Sequence, residues 1–145
     1  MTYSALFAQL VRAEIELWDS LNASLMDQLG VTLPTLHALT AIETLQHPVR
    51  VQDISIEMSI TVGATSKVVD RLERAGLVER RHNPDDRRSS VITITAAGER
   101  TLGEARTAAE KHWEAILSHA YTKTQALEMS KQLSSLRSLV SERDK

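Results

Sequence analysis

The first 29 residues constrain the fold most strongly, because their apolar side chains recur with a helical period from Tyr3 to Leu29 on two adjacent stripes. A helix on the surface of a globular protein needs only one apolar stripe. Two stripes therefore predict burial on two sides, one against the chain's own core and one against a partner, with Gly30 ending the helix. The first stripe consists of Phe7, Leu10, Leu17, Leu21 and Leu25, and the second of Val11, Ile15, Trp18 and Met26.

The C-terminal third carries a further apolar face. Thr95 is predicted to cap a long helix over residues 96–121, and Thr122-x-x-Gln125 forms a capping box that begins a last helix. Apolar residues in that last helix recur with coiled-coil spacing. A monomer of 145 residues has too little core to cover both terminal faces, so we expect a homodimer. The expected interface residues are Phe7, Leu10, Met129, Leu133, Leu136 and Val140.

The composition narrows the class of protein. The chain is 42% hydrophobic and 25% charged, which predicts a globular protein, and only 3% aromatic, which favours a helical core of Leu, Ile, Val and Ala. Without cysteine, it has no disulfides, thiolate zinc sites or cysteine redox sensors. No signal peptide and no apolar run approaching ~18 residues is present, so we expect a cytoplasmic protein.

The middle of the chain follows the plan of a helix-turn-helix. A helix over residues 32–47 and an extended piece at 49–51 precede a short helix over 52–58, a turn at Ser59-Ile60, and a helix over 61–75 that ends at Gly76. Thr65, Val68, Val69 and Leu72 form the predicted inner face of that last helix. An ordinary amphipathic helix with a solvated outer face remains the alternative. The residues expected to meet the major groove or phosphates of DNA are Thr61, Gly63, Ala64, Ser66, Lys67 and Arg71.

A charged hairpin follows, with strands predicted over residues 77–81 and 91–95. Its tip carries Arg87 and Arg88, which suit the negative potential of a minor groove. Asp86, two residues before Arg88, is predicted to hold that guanidinium in position. Residues 60–90 contain seven Lys/Arg and five Asp/Glu, so this stretch is basic although the chain as a whole has a net charge of −2. A solvated, salt-bridged loop is the alternative interpretation.

These residues resemble a known family. Asp86-x-Arg88, six residues and then Thr95-x-x-Gly98 resemble the wing signature of the multiple antibiotic resistance regulator (MarR) family. Residues 69–78 resemble the exit of its recognition helix, and Thr32-Leu33-Pro34 its helix entry. Ser59 departs from the family, which commonly has Gly in that turn, and a positive φ there would cost some strain.

The resemblance implies a winged helix-turn-helix with a helical dimerisation region. Residues 1–30 and 96–145 would form that region, and residues 31–95 the DNA-binding lobe. The dimer would bind a pseudo-palindromic operator as a repressor that a small aromatic or anionic ligand releases. Trp18 lies where the family's effector pocket tends to form, and His37 is its expected neighbour. By position, Gly63, Ala64, Ser66 and Lys67 fall on the major-groove face and Arg88 at the minor-groove arginine.

The sequence also contains features that raise functions other than ligand-responsive DNA binding. His112 and His119 share a helix face with the spacing of two turns, and with His37, Glu14 and Glu110 they raise the alternative of a metal-responsive regulator. A winged helix that binds protein rather than DNA is a further alternative. The sequence has no phosphate loop, nucleophile elbow or acidic pair of an enzyme, so we expect neither catalysis nor a cofactor.

Overall fold

A computed structural model describes residues 1–45, 48–86 and 88–143, except for the side chain of residue 143. Within these residues the fold is mainly helical, with six helices and one two-stranded sheet, as predicted. The chain divides into two compact units, Met1–Ala109 and Glu110–Lys145. The elements are α1 (Tyr3–Leu29), α2 (Leu33–Thr44), α3 (Val51–Met58), α4 (Val62–Arg74), β1 (Val78–His82), β2 (Ser90–Ile94), α5 (Ala96–Ala120) and α6 (Lys123–Arg143).

Local capping fixes the ends of the first helices. Gly30 ends α1 in the left-handed conformation with φ 64°, and the Thr32 hydroxyl accepts a hydrogen bond from the Thr35 N–H at the start of α2. The Asn22 side chain accepts the Leu33 N–H at 2.8 Å, which joins α1 to α2. The predicted end of α2 near residue 47 is three residues too late, since the helix stops at Thr44. Gln46 and His47 lie outside the described residues.

The core of the first unit is aliphatic and lies among α1 to α5 and the sheet. Val49 is hydrogen-bonded to the sheet, because its carbonyl accepts the Ile92 N–H at 2.8 Å. The segment between α2 and α3 is thereby attached to β2. The largest fully buried side chains are Leu25, Leu39, Val49, Ile54, Thr65, Val69, Leu72 and Ile92.

The hairpin is antiparallel, with Arg80 opposite Ile92 and His82 opposite Ser90. β1 begins one residue later than predicted and β2 one residue earlier. The Thr95 hydroxyl donates to the Gly76 carbonyl at 2.6 Å and accepts the Gly98 N–H at 3.1 Å. One side chain therefore joins the exit of α4 to the first turn of α5.

Gly98 is required by packing. A Cβ at this position would lie 2.0 Å from the Leu77 carbonyl oxygen and 2.7 Å from the Ile94 side chain. The same carbonyl accepts the Thr95 N–H at 3.0 Å. The spacing Thr95-x-x-Gly98 thus combines a helix cap with a close approach of α5 to the strand that only glycine allows.

The terminal helices expose apolar side chains. In the first unit Phe7 is 68% exposed and Leu10 is exposed as well, whereas Leu21 and Leu25 of the same stripe are buried. In the second unit the predicted capping box is present, since Thr122 N–H donates to Gln125 Oε1 at 2.9 Å and Gln125 N–H to Thr122 Oγ1 at 3.3 Å. The α6 seam of Met129, Leu133, Leu136 and Val140 is exposed throughout. No helix within the described residues is long and apolar enough to cross a membrane.

We expect Gly98→Ala to lower the free energy of unfolding by about 1–3 kcal/mol, because the new methyl group must displace backbone. Gly103→Ala is the matched control, since Gly103 lies in the same helix with nothing within 4 Å of an added Cβ. That change should raise stability by up to about 1 kcal/mol. Urea unfolding of both variants measures the difference. Equal stability of the two would contradict the packing role of Gly98.

Candidate nucleic-acid interface

α3 and α4 form a helix-turn-helix whose turn is strained at one residue. Ser59 has φ 55° and is the one non-glycine residue with positive φ in the described part of the chain. Its N–H donates to the Ile56 carbonyl at 3.2 Å, and the Ile60 N–H donates to Ser55 at 3.1 Å. A serine in this conformation costs about 1 kcal/mol or more relative to glycine. The departure at Ser59 noted in the sequence therefore carries the expected strain.

The two faces of α4 divide as the sequence predicts. Thr61 caps the helix by accepting the Ala64 N–H at 3.2 Å. Thr65, Val69 and Leu72 are buried against the lobe, while Val68 is half-buried. The residues predicted to meet DNA lie on the other side: Thr61, Gly63, Ala64, Lys67 and Arg71 are exposed, and Ser66 is half-buried.

The loop between the strands, which we call the wing loop, is closed by its own hydrogen bonds. Asn83 is buried, and its side chain donates to Ser89 Oγ at 3.0 Å and accepts the Asp85 N–H at 3.0 Å. The Ser89 N–H donates to the Asp86 carbonyl at 3.1 Å. Local sequence does not reveal this contact, because Asn83 and its partner Ser89 are six residues apart.

Asp86 does not have the predicted contact. Its carboxylate accepts the backbone N–H of Arg88 at 2.9 Å, and within the described residues no ion pair joins it to the Arg88 guanidinium. The carboxylate therefore holds the loop backbone and leaves the Arg88 side chain exposed. Arg87, the other predicted tip residue, lies outside the described residues.

A groove of about 580 Å³ lies between the wing loop, α4 and the start of α3. Ser66 and Asp70 of α4 face Arg88 and Ser89 of the wing loop across it. Of the residues that line it, Ser66, Asp86 and Arg88 were predicted from the sequence as part of a DNA interface. The others meet only in the folded lobe and were not predicted: Arg50, Val51, Gln52, Asp70, Arg80, Ser89 and Ser90.

Ion pairing divides several lysine and arginine side chains of this lobe into two groups. Arg80 binds Asp70 and lies 3.6 Å from Glu73, which ties β1 to α4. Arg50 pairs with Asp53 at 3.3 Å. Among the residues described, no acidic side chain pairs with Lys67, Arg71 or Arg88. All three are exposed, which leaves them available to phosphate.

The two predicted effector residues contact each other. The rings of Trp18 and His37 lie 5.0 Å apart at 89°, an edge-to-face arrangement. A shallow groove of about 320 Å³ beside Trp18 is lined by Glu14, Ile15 and Asp19. Partial burial lowers the pKa of His37 from its ordinary value of 6.5, although the side chain keeps contact with solvent.

The histidines of the metal alternative make no such site within the described residues, where no three His, Asp or Glu side chains are grouped to hold an ion. His119 Nδ1 instead contacts the Ala115 carbonyl at 2.8 Å. The rings of His112 and Trp113 are in contact, with centroids 5.0 Å apart.

This lobe is a winged helix-turn-helix: α3 and α4 are followed by the antiparallel hairpin of β1 and β2, and residues of both parts line one groove. Residues 31–90 match the sequence profile of the MarR family. The chain is 30% identical over 81 residues to the HTH-type transcriptional regulator BilQ of Clostridioides difficile. That match covers 56% of this chain and 54% of BilQ, so the chain spans about half of the relative's length.

Solved structures share the fold over most of the chain. A MarR variant from E. coli in complex with operator DNA has a TM-score of 0.81 at 20% identity, covering 91% of this chain and 93% of that one. CouR from Rhodococcus jostii RHA1, bound to p-coumaroyl-CoA, has a TM-score of 0.74 at 23% identity, covering 88% of each chain. The predicted fold is therefore confirmed.

We expect the free energy of unfolding to fall as the pH is lowered through 6.5. The unfolded chain, with His37 at its ordinary pKa, binds a proton before the folded chain does, so acid favours unfolding. The loss is complete once the pH is below the lowered pKa of the folded state. His37→Gln should make the decline shallower, because the variant lacks the group that the unfolded chain protonates first. Identical pH profiles for wild type and His37→Gln, measured by urea unfolding, would rule out this coupling.

Proposed function

We propose that this chain is a sequence-specific DNA-binding transcription regulator that acts as a homodimer. The observation that carries the proposal is the common groove, because the outer face of α4 and the wing loop border the same surface. The cations on these two elements, Lys67, Arg71 and Arg88, are exposed and not neutralised by acids in the described part of the chain. α4 suits the major groove and Arg88 the adjacent minor groove.

Gly63 supports a close approach to an external partner. It lies in the first turn of α4, where glycine costs up to about 1 kcal/mol relative to alanine. An added Cβ would meet nothing within 4 Å, and no positive φ requires glycine there. No contact among the described residues therefore explains this glycine, whereas small residues at the leading turn let a helix approach the base edges of the major groove closely.

The homodimer rests on the exposed apolar residues of α1 and α6. Phe7 and Leu10 in the first unit, and the α6 seam in the second, are too large an apolar surface to be left in water. We propose that a second copy covers them, with residues 1–30 and 96–145 as the dimerisation region. Two DNA-binding lobes of residues 31–95 would then bind a pseudo-palindromic operator, and repression would follow from occupying it.

An effector site is proposed beside Trp18 and His37. The bound p-coumaroyl-CoA of CouR shows a ligand in a protein of this fold. In this chain the groove next to Trp18 is lined by the carboxylates Glu14 and Asp19. Two negative charges disfavour an anionic ligand, so an uncharged or cationic aromatic compound fits this surface better than the anion that the resemblance allowed.

Two further inferences complete the proposal. The matched relative is named a transcriptional regulator, which supports a role other than catalysis. A DNA-binding role requires access to the chromosome, so we propose a cytoplasmic location. Neither the metal-responsive nor the protein-binding alternative has a specific observation in its favour.

DNA binding is tested with a duplex selected by the full-length protein from a random-sequence pool. Gly63→Ala should stabilise the fold by up to about 1 kcal/mol yet weaken binding of that duplex about tenfold, because the methyl group occupies space that DNA needs. Gly103→Ala, also a helical glycine in open space, should stabilise the fold and leave binding unchanged. Titration by fluorescence anisotropy at fixed salt measures the affinities.

Arg88→Ala tests the electrostatic contribution in the same assay. We expect the free energy of DNA binding to weaken by about 1–3 kcal/mol and the free energy of unfolding to stay unchanged. A pool from which no duplex is enriched would overturn the proposed function. If Gly63→Ala instead bound DNA as tightly as wild type, α4 would not be the inserted helix.

The homodimer predicts a mass of twice 16.1 kDa by light scattering at micromolar concentration. Leu133→Asp should dissociate or unfold it, because an interface of this kind buries over ~2,000 Å² of largely apolar surface. The milder Leu133→Ala should raise the dimer dissociation constant while the chain stays folded. Ser134→Asp introduces the same charge next to the seam and should leave the mass unchanged. A folded wild-type monomer would contradict the interface.

A further inference from the structure

The leading end of α4 is unusually apolar for a surface that faces solvent. Val62, the first residue of the helix, is 51% exposed, and Ile60, in the turn before it, is 38% exposed. Ala64 is exposed as well, and Gly63 between them has no side chain. We call Ile60, Val62 and Ala64 the apolar tip.

Both threonine hydroxyls of this turn make a hydrogen bond within the chain. The Thr61 hydroxyl accepts the Ala64 N–H at 3.2 Å as the helix cap. The Thr65 hydroxyl is buried and donates to the Thr61 carbonyl at 2.9 Å. Apart from the Thr61 O–H, which can still donate, the first turn of α4 therefore offers a partner mainly methyl groups, and further polar side chains begin at Ser66 and Lys67.

The charges beyond the tip indicate what kind of partner covers it. Lys67 and Arg71 follow on the exposed side of the same helix, and neither is paired with an acid among residues 1–45, 48–86 and 88–143. An apolar surface flanked by free cations fits DNA better than an apolar protein surface.

In a helix-turn-helix the N-terminal residues of the second helix meet the base edges, and the apolar group in the major groove is the C5-methyl of thymine. We propose that the apolar tip, with Val62 at its centre, recognises thymine methyl groups, so that each half-site presents A·T pairs to this end of α4. The inference rests on the proposed function and names the bases that this surface selects.

The experiment removes single methyl groups from the DNA. The selected duplex is remade with each thymine in turn replaced by deoxyuridine, which keeps base pairing and the O4 acceptor and lacks only the methyl. Binding of the full-length protein is measured by anisotropy at fixed salt. We expect one or two positions per half-site at which Kd rises about fourfold, the size expected for one buried methyl group.

Protein variants then assign the contact. In Val62→Ala the same deoxyuridine substitutions should change Kd by less than about 1.5-fold, because the methyl has already lost its partner. Ile56→Ala is the matched control: Ile56 is also exposed and apolar, but it lies in α3. That variant should keep the fourfold effect at the same positions. Circular dichroism and urea unfolding confirm that both variants are folded.

The possible results separate this inference from the proposed function. An enriched duplex whose affinity is unchanged by deoxyuridine at every thymine overturns thymine recognition and leaves DNA binding intact. An equal deoxyuridine effect in Val62→Ala and wild type overturns the assignment to the apolar tip. A pool with no enriched duplex overturns both the proposed function and this inference.

Discussion

The rest of the winged helix-turn-helix lobe depends on the close approach of α5 to the carbonyl group of Leu77. That carbonyl accepts the Thr95 N–H and lies against Gly98, while the Leu77 N–H donates to Leu72 in the last turn of α4. One residue therefore joins the end of the second helix of the helix-turn-helix, the start of the hairpin and the start of α5. A side chain at position 98 would separate these elements, so the geometry of the groove depends on a missing Cβ.

Local chemistry made much of this fold predictable from the sequence. The helix starts at Thr61 and Thr122 follow from side chains three residues away from the backbone groups that they satisfy. The helix end at Gly30 follows from a residue that adopts positive φ without strain. The arrangement of the groove was not predictable, since the partners that close it are further apart. Arg80 meets Asp70 from ten residues away, and Val49 meets Ile92 from another part of the chain. The role of Asp86 was misassigned because both the backbone N–H and the guanidinium of Arg88 are within reach of a carboxylate two residues earlier.

Ion pairs also determine what the lobe presents to its surroundings. The chain is slightly acidic overall, yet its acidic side chains pair with only some of its cations. Asp70 and Glu73 hold Arg80 between α4 and β1, where it connects two elements. Exposed pairs of this kind add little stability. Their larger effect is electrostatic: paired cations are neutralised, so the positive potential of the lobe comes from the side chains that have no acid beside them. The net charge of the chain does not reveal this distribution.

The hydrogen bonds inside the wing loop have a consequence for the thermodynamics of association. A loop that orders only on binding loses conformational entropy at that step, and the affinity falls accordingly. In this protein the side chains of Asn83 and Asp86 already accept the backbone N–H groups of Asp85 and Arg88 in the free chain, and Asn83 also donates to Ser89. These described residues would therefore lose little backbone entropy on docking, and their share of the heat capacity change of binding would reflect buried surface rather than folding.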